Sequence, residues 1–124
     1  MAGFQQETNY DFLKGAELTQ IRVNQYTLEF LFTEGQSINM STEFEHRVAA
    51  TQATHRYDIS GRHKDFSVQW LLGLRVTEAE IVSDDALKLA FANGDSLTVF
   101  RHGPEPEYES MTIWGHPGGV IVIF

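Results

Sequence analysis

Apolar and polar positions alternate along two stretches of this chain, and the two stretches match. In the first, Leu28, Phe30 and Phe32 fall on one side, a turn containing Gly35 follows, and Ile38 and Met40 resume the alternation. In the second, 59 residues on, Leu87, Leu89 and Phe91 alternate, Gly94 sits in the turn, and Leu97 and Val99 return. A period of two is the strand period, so each stretch predicts a β-hairpin with one apolar face. Asn93-Gly94 is the strongest turn signal, because both residues tolerate the positive φ that a two-residue type I′ turn demands. Glu34-Gly35 predicts a bulged or longer turn instead.

The match extends upstream at a spacing of 58, where Leu13 and Gly15 correspond to Leu71 and Gly73. Before each of these glycines lies a short helical turn, the first opened by Asn9 or Asp11 and the second by Asp65. After each lies a candidate strand, 17–23 and 75–82. Each unit is therefore a three-strand meander of about 28 residues with a brief helical lead-in. A meander with one apolar face is not stable alone, so the two faces are expected to pack together. The predicted fold is mainly β: two repeated three-strand meanders packed as a sandwich or partly open barrel, with one or two short helical turns. At 124 residues the chain reads as one domain. Repeat one spans about 10–48, a connection about 49–64, and repeat two about 65–124.

The segments after the two hairpins differ. Met40, Thr42, Phe44, His46 and Val48 keep the alternation, which predicts that the third strand simply continues to Val48. Residues 49–64 are polar and carry Arg56, Arg62 and Lys64, which predicts an exposed connection. Pro104 and Pro106 stop any strand after Val99. Alternation resumes from Tyr108 to Trp114, Pro117-Gly118-Gly119 turns the chain, and Val120, Ile121, Val122, Ile123 and Phe124 run on without a polar residue. Such a run predicts a strand that is paired and covered, with a second subunit as the favoured cover, hence a homodimer.

Charge changes the picture of partners. The net charge is −8 at pH 7, and residues 76–124 hold eight of the seventeen acidic residues against two of the nine basic ones. Such a surface repels phosphate backbones and anionic membranes, so neither nucleic acid nor membrane is an expected partner. A basic protein is. The absence of cysteine removes disulfides, thiolate metal sites and cysteine nucleophiles, and fits a reducing, cytoplasmic location. No signal-peptide pattern or long apolar run alters that expectation.

The doubled Leu-x-Gly and Leu-x-Phe-x-x-x-Gly pattern, followed by Tyr108-Glu109-Ser110 and Pro117-Gly118-Gly119, resembles a family of small bacterial domains of unknown function. The likeness spans nearly the whole chain and is strongest over 70–124. Met111 stands where a Trp usually follows the Tyr-Glu-Ser triplet. The resemblance to proteins encoded near polymorphic toxins implies an immunity-like or regulatory role, and it brings no catalytic residue with it.

Candidate chemistry is sparse. His46, His55, His63, His102 and His116 lack any compact metal-binding spacing, and His55, His63 with Asp58 are the best of a poor set of ligands. No metal or other cofactor is expected. Ser110 with His102 or His116 lacks the Gly-x-Ser-x-Gly elbow and an orienting third residue. Trp70, Trp114 and Tyr57 read either as core and interface residues or as the lining of a ligand pocket. Glu105, Glu107 and Glu109 alternate through the two prolines and share a direction, with Tyr108 as an aromatic anchor between them. That stripe is either a charged edge that discourages sheet pairing or a docking site for a basic partner. The expected function is a non-enzymatic protein-interaction module that binds through its acidic surface. The alternative is a small-molecule binding domain with an apolar cavity between the meanders.

Overall fold

A computed structural model describes residues 10–24, 27–41, 43–58, 67–83, 86–100, 111–116 and 120–123. Its strands are β1 (Leu18–Val23), β2 (Leu28–Phe32), β3 (Ser37–Met40), β4 (Glu43–Val48), β5 (Ala53–Asp58), β6 (Val76–Ser83), β7 (Ala86–Phe91), β8 (Ser96–Phe100), β9 (Met111–His116) and β10 (Val120–Ile123). Two 3-10 turns, Asp11–Leu13 and Ser67–Leu71, precede β1 and β6. The fold is mainly β, as the alternation predicts. Among the described residues no helix is long and apolar enough to cross a membrane.

The strands form two antiparallel sheets ordered β1-β2-β3-β9-β10 and β5-β4-β8-β7-β6. Each sheet is built on one meander, β1–β3 or β6–β8. The pair of strands that completes each sheet comes from the other half of the chain: β9 pairs with β3, and β4 pairs with β8. The third strand thus does not run on to Val48. It ends at Met40, and the chain crosses to the opposite sheet before β4 begins. The alternation survives the crossing because both segments turn the same side chains inward, Ile38 and Met40 from one sheet and Phe44 and His46 from the other. Likewise, the stretch expected to be an exposed connection contains β5, an edge strand paired with β4 through Val48↔Ala53 to Glu43↔Asp58. Its sequence hides this, since an edge strand with one solvent face tolerates Thr54 and Arg56.

Where the halves meet, hydrogen bonds come in exchanged pairs. Gly15 N–H donates to Val76 O (2.7 Å) and Gly73 N–H to Leu18 O (2.8 Å). Val76 N–H donates to Ala16 O (2.8 Å) and Leu18 N–H to Leu74 O (3.0 Å), around a bridge between Glu17 and Arg75. These mates lie 58 residues apart, so the local geometry is close to two-fold.

The two hairpin turns are alike. Phe32 N–H donates to Gln36 O and Phe91 N–H to Asp95 O, with Gly35 and Gly94 alone at positive φ in their loops. Asn93 therefore does not enter a type I′ turn. The loop has three residues, a right-handed turn closed by one left-handed glycine, which explains why Glu34 serves as well as Asn93.

Inward side chains of both sheets form the core, with Leu28, Phe30, Ile38 and Ile113 facing Phe44, Leu87, Leu89 and Leu97, all essentially free of solvent. The Phe30 and Phe44 rings meet edge to face across the layers, their centroids 5.9 Å apart. Each such burial contributes about 1.5–3 kcal/mol. Among the described residues these side chains pack together between the meanders.

Candidate functional site

The second sheet presents a concave outer face. Because alternate residues face outward, the pairing places Arg56, Glu45, Thr98, Lys88 and Glu80 in one row across all five strands. The neighbouring row holds Thr54, Arg47, Ser96 and Ala90. Small side chains on the central strands, such as Ala86 and Ser96, leave room above them. Longer ones at the flanks rise around that room, and the result is an open hollow of about 530 Å³.

Its charges are unequally satisfied. The Arg56 guanidinium donates to Glu43 (2.8 Å) and Glu45 (3.3 Å) and lies 4.1 Å over the Phe100 ring. Glu45 and Phe100, which line the hollow, are thereby held from behind, and the Glu45 charge is neutralised. Lys14 pairs with Glu78 (3.6 Å), Arg22 with Glu29 (3.6 Å), and Arg75 donates to Gly15 O (2.9 Å). Arg47 and Lys88 are the other described Lys and Arg side chains, and neither has a partner among the described residues. Both face the hollow.

Beneath the hollow, on the core side of the same sheet, lies a buried hydrogen-bonded pair. His46, between Glu45 and Arg47 on β4, points inward. Its Nε2 lies 2.9 Å from Asp95 Oδ2, with both residues buried. Asp95 Oδ1 accepts from Ala49 N–H (2.9 Å), and Asp95 N–H donates to Asn93 Oδ1 (2.9 Å). Burial pushes the Asp95 carboxyl up, but the Ala49 amide, the His46 bond, the Asn93 side chain and the His46 charge outweigh it and hold it below its usual value. The pair ties the end of β4 to the turn before β8, where Arg47 pairs with Ser96. It thereby braces two residues of the hollow, Arg47 and Ser96, from the core side of the sheet.

The sequence-derived candidates fare differently. Glu105, Glu107, Tyr108 and Glu109 lie outside the described residues, as do Ser110, His102 and His63. His55 is exposed on β5, its ring stacked with Tyr57 at 6.4 Å. Among the described residues no three His, Asp or Glu side chains group as metal ligands. Trp70 and Trp114 are not core residues, at 74% and 43% exposed, and only Tyr57 of that trio packs against the core. The hollow lies on the outer face of one sheet, not between the meanders, and no Trp lines it.

Sequence reasoning missed the His46–Asp95 pair. The signal was there in part, since His46 occupies an inward position of an alternating strand, where a polar side chain needs a partner. The hollow had no such signal.

A model of one protein family matches residues 11–124 of the chain, and the family is described as one of unknown function. No curated protein and no solved structure matches.

Proposed function

The chain belongs to DUF6188, a family of unknown function, and on that premise we propose that it is a non-enzymatic protein-interaction module, immunity-like, bacterial and cytoplasmic, that binds a basic protein partner through its acidic surface. The observation that carries this reading is the charge, −8 at pH 7 and weighted toward residues 76–124, where Glu105, Glu107, Tyr108 and Glu109 form the candidate contact stripe. Attraction of this kind is long-ranged, raises the association rate and weakens with salt. The test is capture of partners from a bacterial lysate at low and high salt, followed by affinity measurement with the triple change Glu105→Gln, Glu107→Gln and Glu109→Gln. Weaker binding at unchanged thermal stability is the expected outcome; unchanged affinity refutes the assignment of the stripe. A homodimer joined along the β10 edge of the first sheet belongs to the same reading. Light scattering that finds a monomer removes it.

A second reading, small-ligand binding, is favoured by the hollow. Its volume of about 530 Å³ falls within the range of roughly 300–1,000 Å³ usual for small-molecule sites.

A further inference from the structure

We propose that the hollow on the outer face of the second sheet binds a small anionic group, a carboxylate or a phosphate, between Arg47 and Lys88 and above the hydroxyls of Ser96 and Thr98. This rests on the small-ligand reading and gives it a chemical class.

In a chain this acidic, Lys14, Arg22, Arg56 and Arg75 each hold a carboxylate or a carbonyl. Among the described residues Arg47 and Lys88 hold neither, although Glu45 and Glu80 stand beside them in the same hollow. Glu45 is already engaged by Arg56 at 3.3 Å. Two unpaired cations sharing one concavity repel each other unless an anion lies between them, and a concave wall of low dielectric strengthens that attraction.

Geometry then sets the place. Arg47 is the register partner of Ser96, and Lys88 of Thr98, so the two cations flank β8 from opposite sides, two residues out of step. With strands about 4.8 Å apart and a rise of about 3.3 Å per residue, their backbones stand roughly 12 Å apart. Two long side chains leaning over β8 from that separation can meet one small anion. The Ser96 and Thr98 hydroxyls directly below make no hydrogen bond among the described residues and are free to donate upward. An Arg fork, a Lys ammonium and two hydroxyls form the donor set that a carboxylate or phosphate oxygen cluster takes.

The carboxylates limit the ligand's size. Glu80 lies next to Lys88 in the row and Glu45 next to Thr98. They repel an extended polyanion and admit a single anionic group. Nucleic acid is thereby disfavoured at this face.

The experiment is calorimetry and thermal shift on the intact chain with inorganic phosphate and with acetate, against chloride at matched ionic strength. Saturable binding of one or both anions, with a rise in melting temperature that chloride does not give, is expected, and the stronger of the two identifies the group. Arg47→Gln and Lys88→Gln should each weaken binding at least about tenfold while leaving the unliganded melting temperature near its starting value, because neither side chain has a partner to lose among the described residues. Lys14→Gln, outside the hollow, should leave binding unchanged. Glu80→Gln should tighten binding a few-fold, an effect of opposite sign that loss of structure cannot mimic. Absence of saturable binding by either anion, or binding unaltered in the Arg47→Gln/Lys88→Gln double variant, overturns the proposal. A neutral or cationic probe that binds saturably in the hollow when neither anion does keeps the small-ligand reading and overturns the anionic assignment alone.

Discussion

Replacing Asp95 by Ala isolates what the buried pair contributes. The carboxylate satisfies His46 Nε2 through one oxygen and Ala49 N–H through the other, each at 2.9 Å. Its removal strands two polar groups, His46 fully buried and the Ala49 amide partly so, at about 1–3 kcal/mol apiece. The total of roughly 2–6 kcal/mol is centred on the 3–5 kcal/mol usual for removing one partner from a buried pair. At about 4 °C per kcal/mol for a domain of this size, the melting temperature should fall by roughly 12–20 °C. The partner change His46→Ile is suggested by the fold itself: Ile113 on β9 faces Ile38 as His46 on β4 faces Leu97. In the double variant no polar imidazole is left behind, so its loss should be smaller than the sum of the single losses by about 1–3 kcal/mol. Urea denaturation followed by circular dichroism gives these numbers. The same measurement has a pH dependence of known sign. Asp95 has a folded-state pKa below its ordinary 3.8, so the unfolded chain takes up the proton first as pH falls. The stabilisation is present above about pH 4 and is lost as pH falls through the folded value. Native protein and Asp95→Ala should therefore converge in strongly acidic solution. A loss under about 1 kcal/mol at neutral pH, additive single variants, or a gap that ignores pH would each refute this account.

Other outcomes follow from the packing. Phe30→Ala, which removes a ring buried against Phe44, should cost about 3–5 kcal/mol in the same denaturation assay. Gly115→Ala should be far worse than Gly15→Ala. Both glycines have positive φ, worth about 1–2 kcal/mol to any other residue, but a Cβ at Gly115 would also come within 2.8 Å of the Gln36 backbone, whereas Gly15 faces open space. Thermal melts of the two variants compare them directly. Tyr10, its pKa pushed up to about 12 by burial, should ionise only in strongly alkaline solution in a phenolate absorbance titration. Since the unfolded chain ionises first, its contribution is intact below pH 10 and disappears as pH rises toward 12.

Much of the sheet structure was readable because a period of two needs only neighbouring residues. Leu28, Phe30 and Phe32 declare a strand and its inner face without reference to anything distant. What alternation does not encode is which sheet a strand joins, so Phe44 and His46 looked like the continuation of Met40. Turn chemistry misled in a smaller way at Asn93, because a three-residue loop needs only one left-handed position and Gly94 already fills it. The candidate site was much less legible. His46 and Asp95 lie 49 residues apart, and no local rule joins them. Arg47, Lys88, Ser96 and Thr98 read as ordinary outward-facing positions on three strands. Their convergence depends on β4 lying beside β8, which is a property of the topology.

That topology also dictates an order of events during synthesis. A chain emerging from the ribosome can close β1, β2 and β3 into a ribbon early, but the free edge of β3 waits for Met111–His116, more than seventy residues later. Until then, Ile38 and Met40 border an open, apolar edge of the kind that recruits stray strands. β4 and β5 are in the converse position, made early with no β8 to receive them. The second sheet is thus completed only once β8 is made and the first only once β9 and β10 are, and the long sequence separation of the β4–β8 and β3–β9 pairings makes these closing steps the slow ones.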